Sequence, residues 1–394
     1  MPEPALPFGL NPEVLAAATA QSDPDGLAAA AQLRADYGPQ LAAAALHQVS
    51  LRRRARTKFG DRAAELFLTR DGLEQATRPS VAAHHATRLR EAGATRVVDL
   101  GCGIGTDAMA FADAGLEVVA VERDPDTAAV AAANLGRRGR VVCADAEEVA
   151  AGLLTPGTAA YCDPARRSDS RRLWRVGDFT PSWDLVSTLL AGDRVAGVKL
   201  GPALPHSLVP TTAEAEWVTD RGATVEVGLW AGPGARCDLD VALLLPGDRL
   251  EVPRPVPGRP AAALPVGPVG RYLYEPDGAV IRARGVGLLG HRLGAHLLDP
   301  EIAYLTTDTA TLTPFATGFE VLEVLPNGVK ALRRWVRDHD VGMLEIKKRG
   351  VDLDPAVLRR QLAPRGSRPA TLVLARTPSG AVALVVRRLD RTVG

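Results

Sequence analysis

From Arg96 onward the sequence alternates short apolar runs with helix-like pieces, and this alternation restricts the fold more than any other feature. RVVDLG gives way to TDAMAFADAG, then EVVAVE, DTAAVAAANLG and RVVCAD, so strand and helix exchange about every 10 to 15 residues. Strands covered on both faces read as continuous apolar runs, and the helix between two of them returns the chain in a right-handed crossover. The pattern predicts an α/β domain built on a parallel sheet. AAYCDP, RVAGVKL, ATVEVGLW and DLDVALLLP carry the series to position 246, for roughly seven strands in all.

The flanks have different grammar. Residues 10–95 carry helical spacing in LAAAAQLRADYG and AAELFLTRDGLEQ, interrupted by the basic segment LRRRARTKFGDR. PGDRLEVPRPVPGRPAAALPVGP holds prolines that neither a central strand nor a helix interior accepts, which marks a linker. Beyond it FEVLEVLPNGVKALRRWVRDHDVGMLEIKKRGVDLDPAVLRRQLAP reads strand, helix, strand, helix, and ATLVLAR and AVALVVRRL close the chain around TPSG. A chain of 394 residues exceeds one core. The expected division is an N-terminal helical region over 1–80, the α/β domain over 81–250, a linker over 251–268, a small module over 269–320 and a last one over 321–394. Four cysteines without a C-x-x-C pair argue against zinc or a disulfide framework. The first residues lack a signal-peptide pattern, and no apolar run is long enough to span a bilayer. Neither metal nor membrane is expected, and a reduced, cytoplasmic setting fits.

The chemistry centres on VVDLGCGIGTDAMAF. An apolar strand ends at Asp99 and Leu100, Gly101, Gly103 and Gly105 follow, and an amphipathic helix begins near Thr106. Glycines there let the backbone turn sharply and approach a ligand closely. This D-x-G-x-G-x-G turn resembles motif I of the class I S-adenosylmethionine-dependent methyltransferases more than the dinucleotide fingerprint, whose third glycine comes one residue later. Asp99 supplies a carboxylate suited to the cationic amino end of S-adenosyl-L-methionine. The resemblance implies a Rossmann-like seven-stranded domain and that cofactor. Glu122, ending VVAVE, stands where an acid grasps both ribose hydroxyls, a role shared with dinucleotide enzymes. By the same resemblance Asp145 meets the adenine amine, with Ala144 and Ala146 flanking the ring.

AAYCDPARR follows the fourth strand. Asp163-Pro164-Ala165-Arg166 is similar to motif IV of nucleic-acid amino-methyltransferases, where a carboxylate or amide and a backbone carbonyl orient the acceptor amine; Asp163, Pro164 and Arg166 are the catalytic candidates. Ala165 replaces the second proline of that motif, and Arg166 stands at the stacking aromatic, which leaves base identity open. Cys162 and Cys237 lie in or beside apolar strands and read as core residues rather than nucleophiles. The histidines, His84 and His85 among them, lack metal-ligand spacing and read as structural.

Substrate signals are basic. RRSDSRRLWRVGDFTPSWDL brings Arg167, Arg171, Arg172 and Arg175 with Trp174 to the carboxyl edge of the sheet. Net charge over the whole chain is +1, yet positions 328–394 hold 15 basic and six acidic residues, the footprint of a nucleic-acid backbone partner. Within them EIKKRGVDLDPAVLRRQL resembles the THUMP-like domain that follows methyltransferase domains in a bacterial family; Lys347, Lys348 and Arg349 are its candidate contacts. That resemblance extends over nearly the whole chain, implies a ferredoxin-like part before the THUMP-like end, and places Gln75 and Thr77 of GLEQATRPSVAAHHA facing the cofactor. The expected activity is methylation of an RNA base, in tRNA or rRNA. Two other readings stay open: a small-molecule or protein methyltransferase with a structural C-terminal module, and a non-catalytic RNA-binding protein.

Overall fold

The computed structural model describes residues 6–166, 176–255 and 263–390. They divide into two compact units, Met1–Glu216 with Glu226–Asp238, and Trp217–Val225 with Leu239–Gly394.

The first unit opens with helices α1 (Pro12–Thr19), α2 (Leu27–Tyr37), α3 (Pro39–Phe59), α4 (Arg70–Gln75) and α5 (Pro79–Glu91). Three of them begin with proline, which fits the first turn because its missing N–H would have no partner there. Asn11 caps α1 through Val14 N at 2.9 Å, and Thr69 caps α4 through Gly72 N at 3.0 Å. The alanine-rich faces of α1 to α3 pack closely, burying Ala18, Ala29, Ala42, Ala45 and Leu33.

The same unit then lays down strands β1 (Arg96–Leu100), β2 (Glu117–Glu122), β3 (Gly139–Cys143), β4 (Thr158–Cys162) and β5 (Ala196–Leu200); the hairpin of β6 (Glu214–Asp220) and β7 (Ala223–Ala231) follows, its Trp217–Val225 tip being counted with the second unit. Their order across the sheet is β6-β7-β5-β4-β1-β2-β3. β1 to β5 are parallel, and β7 runs antiparallel beside β5. Helices α6 (Thr106–Asp113), α7 (Pro125–Leu135), α8 (Ala146–Leu153) and α9 (Trp183–Ala191) make the crossovers. This is the Rossmann-like α/β architecture expected from the alternating pattern. β6 is a strand the apolar series had not counted, and DLDVALLLP, taken as the seventh strand, groups with the second unit as β8 (Leu239–Leu244). Chain order reverses at β1, which has β2 on one side and β4 on the other, so a crevice opens at the carboxyl ends of these strands. Buried Asn134 of α7 accepts from Phe67 N at 2.8 Å and donates to the carbonyls of Phe67 and Ile104 at 2.9 Å, which fixes the loop after β1.

The second unit contains β8 in a hairpin with β9 (Asp248–Pro253), then β10 (Tyr272–Pro276), α10 (Gly278–Arg282), α11 (Val286–Leu293), β11 (Leu305–Thr307), β12 (Ala316–Pro326), α12 (Val329–Asp338), β13 (Val341–Arg349), α13 (Pro355–Leu362), β14 (Arg368–Thr377) and β15 (Gly380–Arg388). One sheet joins a short His296–Leu297 strand and β11-β10-β12-β15-β14-β13. β12 runs straight through position 320, where two modules had been expected to meet, because Phe319 and Val321 belong to the same buried face as Leu273 and Leu384. On the opposite face Leu332 and Val336 of α12 and Leu358 and Leu362 of α13 cover Leu344, Ile346, Leu372 and Leu374. No helix of the described residues is long and apolar enough to cross a membrane.

Candidate active site

The glycine turn lies at the switch point. Gly101, Gly103 and Gly105 all have positive φ, at 84°, 55° and 84°, a region in which a Cβ is strained. A Cβ on Gly101 would lie 3.6 Å from the carbonyl oxygen of Asp163 and 3.5 Å from Pro181, so the turn after β1 rests against the turn after β4. Nothing stands within 4 Å of the Cβ position at Gly103. That side of the loop is open for a ligand to approach the backbone.

Acids frame the opening. Glu122 accepts from Gly103 N at 3.1 Å and from Asp124 N at 2.9 Å, so the end of β2 and the glycine turn hold one another. Each carboxylate oxygen keeps further acceptor capacity. Asp145 caps α8 through Glu147 N at 2.9 Å, with Ala146 buried beside it. Asp99 is buried, and neither of its oxygens has a hydrogen-bond partner among the described residues. Burial pushes its carboxyl well up, and the charges of Asp107 and Asp163 add to this. An orphaned buried carboxyl is costly, and a cationic group arriving at the glycine turn would relieve it.

The turn after β4 carries Asp163, one-third exposed at its side chain, and buried Pro164. The backbone of Ala165 and Arg166 pairs with Phe179 and Thr180. Asp163 Oδ2 is held by the ammonium group of Lys199 at the end of β5. Lys199 also donates to Thr77 Oγ1 at 2.9 Å, and Thr77 donates to Asp107 Oδ2 at 2.5 Å. Asp107 Oδ1 meets His85 Nδ1 at 2.8 Å, Tyr161 OH lies 2.9 Å from the same nitrogen, and His85 Nε2 meets Glu226 Oε1 at 2.6 Å. A connected polar chain thus runs from the crevice into the core. Burial pushes Asp163 up while Lys199 opposes it. Burial disfavours charge on Lys199 and His85 too, but the surrounding carboxylates win: Lys199 is raised, and His85 is pushed up to about 10. Asp107 stays below its ordinary range despite burial because His85 bonds it.

Lys199, Asp107 and Glu226 were not among the candidates, and His85, read as structural, is a member of this chain. Thr77, expected to face the cofactor, has its hydroxyl committed to Lys199 and Asp107, whereas Gln75 is exposed. Cys162 is fully buried and burial pushes its thiol well up, in keeping with a core residue. Cys237 is only half-buried and lies beside Thr212 O at 3.0 Å. No cluster of metal-ligating side chains occurs among the described residues. Arg167, Arg171, Arg172, Trp174 and Arg175 lie outside the described residues.

In the second unit the pleat of β13 separates the basic trio. Lys347 and Arg349 face one side and pair with Glu275 at 2.8 and 3.7 Å, lining a cavity of about 680 Å³ with Tyr274 and Arg388. Lys348 stands on the other face and is exposed.

Residues 98–153 match a family model described as a methyltransferase domain, residues 316–388 one described as THUMP domain-like, and residues 12–55 a domain of unknown function. A protein of Mycobacterium tuberculosis, in both strain H37Rv and strain CDC 1551, is 36% identical over 357 residues, spanning 86% of this chain and 94% of the relative. Its name is uncharacterized S-adenosylmethionine-dependent methyltransferase. The chain belongs to this methyltransferase family. A crystal structure from Porphyromonas gingivalis W83, likewise named a methyltransferase, superposes with a TM-score of 0.76 at 24% identity, covering 96% of this chain and 98% of that one. The methyltransferase therefore combines a class I catalytic domain with a C-terminal THUMP-like part, and S-adenosyl-L-methionine is its cofactor.

Proposed function

We propose that this methyltransferase modifies a base of RNA, in tRNA or rRNA, in the cytoplasm. The observation that carries the reading is the juxtaposition of Asp163 with the glycine turn: its backbone carbonyl lies against Gly101, while its side chain, one-third exposed, is bound through Oδ2 by Lys199. A carboxylate so placed is suited to receive an N–H of the acceptor and aim its lone pair. The cofactor supplies a methyl group already activated on a sulfonium sulfur, so the protein's work is alignment and acceptance of a proton.

In this reading Asp99 faces the cationic amino group, Gly101, Gly103 and Gly105 admit the cofactor to the backbone, Glu122 takes the ribose hydroxyls, and Asp145 and Ala146 receive the adenine. Asp163, Pro164 and Arg166 hold the acceptor. Arg167, Arg171, Arg172 and the surface around Lys347, Lys348 and Arg349 engage the RNA backbone, which the basic tail and the THUMP-like match support. Glu275 already neutralises part of Lys347 and Arg349, so Lys348 and the exposed cations of α12 carry the larger share of that contact.

The deciding experiment supplies methyl-labelled S-adenosylmethionine and total RNA, then digests the RNA to nucleosides. Label in a methylated base is expected. Label confined to a small-molecule or protein fraction would replace this reading with the corresponding alternative. Two further outcomes follow. Glu122→Ala weakens cofactor binding about 10- to 100-fold in calorimetry, since a charged acceptor of two hydrogen bonds is lost; unchanged affinity would remove Glu122 from the site. RNA affinity falls by about 10³-fold or more between 50 and 200 mM salt if about six phosphates are neutralised. Substituting Lys330, Arg333, Arg334 and Lys348 together flattens that slope, and an unaltered slope would exclude this surface.

A further inference from the structure

Lys199 ends β5 next to β4, so its ammonium group arrives at the carboxyl edge of the sheet beside Asp163. The polarity of its contacts is determined. Thr77 has a single hydroxyl proton and spends it on Asp107, so toward Lys199 its oxygen can only accept. Asp107 is in turn held by His85, and His85 by Glu226. Carboxylate, ammonium, carboxylate, imidazolium and carboxylate alternate from Asp163 to Glu226. These groups come from the turn after β4 and from β5, α6, α5 and β7, so a shift of any of the last four would disturb a packed element.

We propose that Lys199 is a positioning residue that holds Asp163 as an ionised, oriented hydrogen-bond acceptor, and that the site thereby selects an acceptor that is nucleophilic without prior deprotonation: a nitrogen of the base rather than a ribose hydroxyl. The inference rests on the reading of Asp163 as the acceptor-orienting group. An ammonium committed to two acceptors has no lone pair with which to take a proton, and a carboxylate paired with it is a weak base. A hydroxyl would have to surrender its proton as it attacks, and the paired groups offer little help in taking it. A nitrogen donates its lone pair to the methyl carbon, and the electron pair of the carbon–sulfur bond leaves with the thioether. The N–H proton, made acidic by the new bond, passes to Asp163 Oδ1 and on to water. Burial supports the same division of labour, since it opposes charge on Asp163 and leaves Lys199 as its direct counter-ion.

The test compares Lys199→Met, Lys199→Arg, Asp163→Asn and the Lys199→Met/Asp163→Asn double variant. In cofactor-free protein, denaturant unfolding of Lys199→Met is expected to show a loss of stability that grows as pH rises, because the unpaired carboxylate must then be ionised in a partly buried place. The double variant removes that pH dependence, and the two substitutions are non-additive. With cofactor, Lys199→Met keeps S-adenosylmethionine affinity within about threefold and lowers kcat about 100-fold, as a misaligned acceptor would. The acidic limb of its pH profile moves upward by about one unit or more, and Lys199→Arg recovers most of kcat. Labelled RNA from the wild-type reaction, hydrolysed by alkali, releases label in mononucleotides. Additive substitutions with an unmoved pH profile would overturn the positioning role. Label in alkali-resistant dinucleotides would overturn the nitrogen assignment. Should wild-type protein put no label into RNA, the RNA reading fails by itself, while the unfolding cycle still decides whether Lys199 governs Asp163.

Discussion

Asp163→Ala is expected to lower kcat about 10²- to 10⁴-fold while S-adenosylmethionine affinity stays within about threefold. The asymmetry follows from where the side chain stands. Asp163 meets the glycine turn through its backbone carbonyl, which alanine retains, so the wall of the cofactor site survives. What disappears is the oxygen proposed to orient the acceptor, together with the counter-ion of Lys199. An ammonium left without its carboxylate would repel the positive charge that develops on an attacking nitrogen. Asp163→Asn should lie between the two, because an amide oxygen still accepts a hydrogen bond but no longer balances Lys199. Single-turnover kinetics on the labelled RNA, with calorimetry of cofactor binding, separate these effects. Wild-type turnover by Asp163→Ala would show that the acceptor is aligned elsewhere.

The two halves of this site differ in how openly the sequence displays them. Asp99, the three glycines, Glu122, Asp145 and Asp163 each sit at the end of a strand, and local spacing alone reveals strand ends. The chain behind Asp163 joins residues as distant as His85 and Glu226, and only the neighbour relations of β4, β5 and β7 bring them together. Its trace in the sequence was slight: a lysine in AGVKL and a glutamate in TVEVGLW, single polar residues inside apolar runs. β6 escaped notice for a related reason. EAEWVTD places acids where a buried strand should be apolar, yet Glu214 and Glu216 are fully buried, bonded by Arg88 at 2.9 and 3.0 Å, with His84 on Glu216 at 2.7 Å. Buried acids with their cations on another element defeat any reading by apolar pattern. In the THUMP-like part, Lys347, Lys348 and Arg349 were grouped as one set of contacts, whereas the two-residue period of the strand turns Lys348 away from the other two, and Glu275, distant in sequence, pairs with both of those.

The largest effect on stability is expected at His85, which lies behind Asp107 and away from the proposed acceptor and cofactor positions. Its imidazolium lies between Asp107 and Glu226 and is shielded from solvent. Replacing it with leucine keeps the volume but leaves two buried carboxylates facing one another, a loss of about 3 to 5 kcal/mol. The pH dependence has a definite sense. The His85 pKa is raised to about 10 in the folded protein, against about 6.5 in the unfolded chain, so its contribution is complete below about pH 6.5 and fades as pH climbs toward 10. Denaturant melts of wild type should therefore weaken on the alkaline side, and the His85→Leu deficit should shrink there. Adding Asp107→Asn and Glu226→Gln to His85→Leu removes the stranded charges and should restore part of the loss. Asp107 also receives the Thr77 hydroxyl that fixes Lys199, so His85→Leu protein that remains folded should bind S-adenosylmethionine yet transfer its methyl group slowly. A variant that melts like wild type across this range, with unchanged kcat, would mean that the buried chain neither supports the fold nor steadies Asp163.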